Sequence, residues 1–121
     1  MTTGYVVFAH GSRVETANQA VRAVAAELAR AGGYENVTAA FLELGDPDLN
    51  GAVAAFTRQG ICRIVVIPYF LTLGTHLERD LPRIVSEISK RHQDLRIEVT
   101  APLDGHSGLV QILLDRAISS I

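Results

Sequence analysis

Cys62-Arg63-Ile64-Val65-Val66-Ile67-Pro68 is the stretch that decides the fold. Its centre is apolar at every position, so an extended segment there needs cover on both faces. That is expected of a central strand in a parallel sheet, where helices close both sides. Just before it, Gly60 ends a helical pattern that turns Leu49, Val53 and Phe56 inward. Further toward the N-terminus lie two more apolar runs of strand length, Tyr5 to Ala9 and Val37 to Leu42. Between them, Glu15 to Ala31 reads as a helix, with Val21, Val24, Ala25 and Leu28 at i, i+3, i+4 and i+7. Gly32-Gly33 stops it. Asp46 suits the N-cap of the second helix, and Pro47 its first helical position.

Toward the C-terminus, Tyr69 to His76 is not helix-like. Asp80 is expected to cap a third helix, with Pro82 in its first turn and Ile84, Val85 and Ile88 as its core face. Leu95 to Ala101 reads as a fourth strand. After the loop Pro102 to Ser107, a last helix is expected to turn Leu109, Ile112, Leu113 and Ala117 inward. Four strand–helix units in series predict an α/β fold: a four-stranded parallel sheet with right-handed crossovers and helices on both faces. The 121 residues form one expected domain, 1–121.

Composition narrows the function. Eleven basic and thirteen acidic side chains give a net charge of −2 with no block of like charge, which gives no support to nucleic-acid binding. No apolar run is long enough to span a bilayer, and the start, Met1-Thr2-Thr3-Gly4, carries no signal-peptide pattern. The single cysteine, Cys62, excludes a disulfide or a Cys-ligated cluster within one chain, and reads as a buried core thiol. A cytoplasmic location fits that usage.

The chemistry-bearing residues fall just past the strands. His10 follows the first run, Glu43 closes the second, and His76 lies beyond the third. In an open parallel sheet, ligands bind outside the carboxyl ends of the strands. Groups able to hold a metal or move a proton therefore converge on one rim. His10-Gly11-Ser12-Arg13 is a strand-to-helix turn in which Gly11 permits close backbone approach and Ser12 and Arg13 offer donors to an anion. A carboxylate at a strand end, such as Glu43, is expected to be partly desolvated and to serve as a base. Imidazole suits borderline divalent metals, and two His with one carboxylate leave coordination positions open, as delivery or catalysis requires. His92 reads as a solvated helix end, and His106 is rim-placed after the fourth strand.

The ordered set His10-Gly11-Ser12-Arg13, Phe41-Leu42-Glu43-Leu44 with Pro47-Asp48-Leu49, and Pro68-Tyr69-Phe70-Leu71 with Gly74-Thr75-His76 and Asp80-Leu81-Pro82 resembles the class II tetrapyrrole chelatases. It is most similar to the short sirohydrochlorin cobaltochelatases (CbiX/SirB-like). The resemblance implies insertion of a divalent metal, Co²⁺ first and Fe²⁺ or Ni²⁺ next, into sirohydrochlorin for cobalamin or sirohaem. The metal is then a substrate, and no tightly bound cofactor is implied. His10 would bind metal and accept a pyrrole proton, His76 would be a second ligand, and Glu43 would assist in either task. The loop Leu71-Thr72-Leu73-Gly74-Thr75 would line the macrocycle site. Arg13 and Arg79 would face the carboxylates of the macrocycle, whereas Arg83 reads more as an ordinary solvated helix residue. Relatives are built as two facing lobes, so a one-lobe chain is expected to act as a homodimer. The chain lacks the histidine-rich tail and cluster-binding cysteines of some longer relatives.

Two rival functions remain at this level. A metal or tetrapyrrole carrier could use the same His and Glu without turnover. A phosphate-handling enzyme could use His10-Gly11 as a nucleophile loop, but the histidine phosphatases place an arginine directly before that pair, where this chain has Ala9.

Overall fold

The computed structural model describes residues 2–120, so Met1 and Ile121, the ends of the expected domain, lie outside the described residues. The elements alternate as β1 (Thr3–Ala9), α1 (Glu15–Gly32), β2 (Val37–Phe41), α2 (Leu49–Arg58), β3 (Arg63–Pro68), α3 (Gly74–Arg91), β4 (Arg96–Val99) and α4 (Gly108–Ser119). The strands form one parallel sheet in the order β2-β1-β3-β4. The chain leaves β1 for one side of the sheet and β3 for the other. The switch point, where crossovers diverge and a crevice opens, is therefore between β1 and β3.

Strand periodicity divides the core into two. Val6, Phe8, Ile64 and Val66 pack with Leu49, Val53 and Phe56 of α2 and Leu77, Leu81 and Ile88 of α3. The alternate residues Val7, Ala9, Ala39 and Phe41 pack under Val21, Ala25 and Leu28 of α1. Register agrees: Val6 pairs with Val66, and Val7 with Ile67. The expected α/β architecture with helices on both faces is observed.

Several expectations of detail are corrected. On α1 the inward stripe is Asn18, Val21, Ala25 and Leu28; Val24 is 39 % exposed. Helix α2 is capped by Asp48, whose carboxylate accepts from Gly51 N at 2.8 Å, and not by Asp46. The reason is that Pro47 and Asp48 still run alongside the end of β2, with Phe41 N donating to Pro47 O at 2.9 Å, so the helix cannot start before Leu49. Helix α3 begins at Gly74, six residues before the expected Asp80 cap, and contains Pro82 in its interior. A mid-helix proline costs about 3 kcal/mol. Burying Leu77 and Leu81, one turn apart ahead of it, offsets this at roughly 1.5–3 kcal/mol each. Pro82 and Glu78 are both on the exposed side, so the carbonyl that the proline leaves unpaired faces solvent.

Helix α4 departs most. Leu109 is half-buried, but Ile112, Leu113 and Ala117, expected in the core, are exposed, and α4 has no buried residue. Cys62 is half-buried just ahead of β3, where a fully buried thiol was expected. Among the described residues no helix is long and apolar enough to cross a membrane.

Candidate functional site

The first site element is the turn after β1. Gly11 takes φ 95°, and a Cβ there would stand 1.7 Å from the Glu43 carbonyl oxygen, so only glycine permits the approach. Two ladder-like bonds carry the pairing past the strand ends: Leu42 N donates to Ala9 O at 2.9 Å, and Glu43 N to His10 O at 3.1 Å. These contacts bring the two side chains together. His10 Nε2 lies 3.7 Å from Glu43 Oε1.

That separation is close to what one cation needs. Two ligands each about 2.0–2.2 Å from an ion stand roughly 3–3.5 Å apart. A small side-chain rotation would let the pair share one metal. His10 Nδ1 lies 3.2 Å from the Gly11 carbonyl; with the proton on that nitrogen, Nε2 keeps its lone pair for a metal or a proton. A proton taken at Nε2 would be met by the neighbouring carboxylate. Glu43 is 58 % exposed, so the desolvation expected for it is not present in a single copy.

His76 comes from the third element. It sits in the first turn of α3, not in a loop, with Arg79 Nη2 3.5 Å from its Nδ1. An open depression of about 520 Å³ is lined by His10 and Glu43 on one side and by Leu73, Gly74, Thr75 and His76 on the other. Phe70 and Leu42 supply apolar floor, and Asp80, Arg83 and Ile84 complete the wall. The depression straddles the β1/β3 switch point. Among the described residues no three His, Cys, Asp or Glu side chains stand close enough to hold one ion, so His76 shares the cavity with the His10–Glu43 pair without closing a three-ligand cluster.

The other expected site residues separate. Ser12 and Arg13 line a second, more polar depression with Asn18, Arg22, Gly45 and Asp46. Leu71, 65 % exposed, and Thr72 lie outside the lining of the His10 cavity. Arg79 is outside it too, whereas Arg83, which reads in sequence as a solvated helix residue, is in the wall and 3.5 Å from Asp80 Oδ1. His106 accepts from Gly108 N at 2.8 Å and so serves the start of α4. Sequence reasoning missed Asn18, which is 3 % exposed. Its signal was a polar residue three positions before Val21 on the inward stripe of α1.

Fold and site together define an open α/β lobe with imidazole and carboxylate donors gathered outside its strand ends. The chain belongs to the CbiX family, whose model matches residues 4–120. It is 31 % identical over 113 residues to the chloroplastic sirohydrochlorin ferrochelatase of Arabidopsis thaliana, covering 93 % of this chain and 50 % of that protein. It is 36 % identical over 80 residues to the sirohydrochlorin cobaltochelatase of Methanopyrus kandleri, covering 66 % of this chain and 56 % of the relative. The crystal structure of the sirohydrochlorin chelatase SirB from Bacillus subtilis subspecies spizizenii, in complex with cobalt, superposes with a TM-score of 0.90 at 25 % identity, over 98 % of this chain and 51 % of that one. The matched region thus spans about half the length of each of these three proteins.

Proposed function

We propose that this protein is a sirohydrochlorin chelatase that inserts a divalent metal, Co²⁺ first and Fe²⁺ or Ni²⁺ as the other candidates, into the macrocycle. The observation that carries this reading is the His10–Glu43 pair, 3.7 Å apart, in a cavity that also takes His76, within a chain of the CbiX family. In this reading His10 Nε2 and Glu43 receive the metal. As it passes to the macrocycle, the two inner N–H protons leave; the freed imidazole accepts one and the freed Glu43 carboxylate accepts the other. The same nitrogen cannot hold metal and proton at once, so metal release precedes protonation. His76, on the opposite wall and too far to close a three-ligand cluster as the walls stand, is the second ligand as the ion leaves the pair. Thr75, Gly74 and Leu73 contact the ring, and Leu71 and Thr72 reach its edge. Arg83 faces its carboxylates from the cavity wall, and Ser12, Arg13 and Arg79, outside that lining, meet carboxylates that extend past the ring edge.

The functional unit in this reading is a homodimer of lobes 1–121 working in the cytoplasm. Two features support the second copy. The cavity is open, and a large flat macrocycle needs a facing wall. On α4, Val110, Ile112, Leu113, Leu114 and Ile118 are each more than half exposed, the kind of contiguous apolar patch that marks an interface. The matched SirB chain has length for a second lobe, so a lobe of the same kind is a fitting cover for this face.

The test is anaerobic metallation of sirohydrochlorin with excess Co²⁺ and catalytic protein, followed by the visible spectrum. Many turnovers per site are expected, falling at least about a hundredfold in His10→Ala and about tenfold or more in His76→Ala, with the fold intact by circular dichroism. Parental rates in both variants would remove the site assignment. A reaction that halts at one equivalent per site would make the protein a carrier.

A further inference from the structure

We propose that Asn18 is a positioning residue that ties the His10 turn to the Glu43 turn and so sets the spacing of the metal-handling pair. The inference rests on the reading of that pair given above. Among the described residues Asn18 is the buried polar side chain of this fold, and a buried amide must find partners. All of them are backbone groups of the two turns. Its Oδ1 accepts from Ser12 N at 2.9 Å, while its Nδ2 donates to Ser12 O at 2.9 Å and to Leu44 O at 3.0 Å. One side chain on the rigid α1 thus holds the residue two places after His10 and the residue next to Glu43.

Three details argue for a built linkage. Leu44 sits at φ 59°, a left-handed conformation unfavourable for a branched side chain, and its carbonyl is what Asn18 holds. Gly45 leaves room, since a Cβ there would come within 3.2 Å of Asn18 Nδ2. The bonding pattern needs one acceptor and a two-proton donor on the same planar group, which only an amide supplies. A carboxylate of the same shape would set an oxygen against two carbonyl oxygens. Gly11, packed on the Glu43 carbonyl, lies between the clamped points, so slippage of either turn would be felt at His10.

The test compares Asn18→Asp and Asn18→Ala with Ile61→Val, a core control buried at the opposite end of the strands. In each folded full-length variant, amide hydrogen exchange is read at Ser12 and Glu43 against Val6 and Val66. Co²⁺ affinity is read from its visible bands, and kcat and KM for sirohydrochlorin are measured separately. Removing supports behind metal ligands weakens binding or activity about 10–100-fold. The expected result is exchange at Ser12 and Glu43 about tenfold faster with Val6 and Val66 unchanged, Co²⁺ binding at least about tenfold weaker, and kcat reduced with KM within about twofold. Ile61→Val should leave all of these at parental values. If Asn18→Ala does not fold, the isosteric Asn18→Asp decides. Parental Co²⁺ affinity in either folded Asn18 variant, with or without faster exchange, would overturn the proposal, as would an equal loss in Ile61→Val. If the parent protein fails to metallate sirohydrochlorin, the functional reading falls while exchange and Co²⁺ affinity still judge Asn18.

Discussion

Helix α3 buries Leu77, Leu81 and Ile88 against the sheet, whereas α4, with six Leu, Ile and Val residues among its twelve, buries none. The two helices differ in how their apolar residues are spread. At about 100° per residue, Leu77, Leu81, Ile84 and Ile88 form one stripe, matched to one sheet face. On α4, Leu109, Val110, Ile112, Leu113, Leu114, Ala117 and Ile118 cover roughly two-thirds of the circumference. One flat surface cannot cover so wide a band. A helix of this kind is at rest only when enclosed from more than one side. The width of a stripe therefore carries information about its destination that the mere presence of an apolar period does not.

The comparison is broken most severely at Leu81. Leu81 is 2 % exposed in the core shared by the sheet and α3, and Leu81→Ala should cost about 2–5 kcal/mol in urea unfolding. A cost below about 1 kcal/mol would mean that α3 is no more anchored than α4. The next effect belongs to α4. Leu113→Glu sets a charge in the middle of the exposed band, where Leu113 is 67 % exposed. The lobe should keep its far-ultraviolet spectrum and its strand protection, while sedimentation velocity shows the mass fall from two chains to one. Metal insertion should fall with it, because the cavity loses its facing wall. An unchanged dimer would place the second copy elsewhere, and a monomeric parent would remove the homodimer.

The same contrast explains what could be read from the residues alone. The strands were legible because Ile64 to Ile67 is apolar on both faces, a pattern with one common structural meaning. The rim positions of His10 and Glu43 follow directly from where their runs end. Strand order was not legible, since the pairing of β1 with β3 joins segments sixty residues apart, as Thr3 with Arg63. The start of α3 was misplaced because Pro82 suggests a first turn, while the burial of Leu77, which decides the matter, is a tertiary fact. That error carried His76 into a loop when it belongs to a helix start. Asn18 was missed for a related reason. A polar residue on an inward stripe has no local justification, and its partners include Leu44, twenty-six positions away. Helix α4 was read inward on periodicity, and periodicity does not name a partner.

The smallest expected effect lies at the entrance to α4. His106 follows β4 and, by sequence, shares the rim with His10 and His76. In the structure its Nδ1 accepts from Gly108 N at 2.8 Å and it takes no part in lining the His10 cavity. A side chain that satisfies one of the free N–H groups at a helix start contributes about 0.5–2 kcal/mol where the helix is integral to the fold. Here the helix it starts buries no residue and only Gly108 and Leu109 are half-buried, so fraying its first turn removes little packing. His106→Ala should therefore lower stability by no more than about 0.5 kcal/mol and leave Co²⁺ insertion within about twofold of the parent. Circular dichroism melts and the metallation assay measure both. A tenfold loss of turnover with stability preserved would show that His106 reaches a reaction centre, which in the homodimer proposed above would be that of a facing copy. The exposed helix would then be a carrier of catalytic groups as well as of contact surface, and the difference between α3 and α4 would be one of which copy each helix serves.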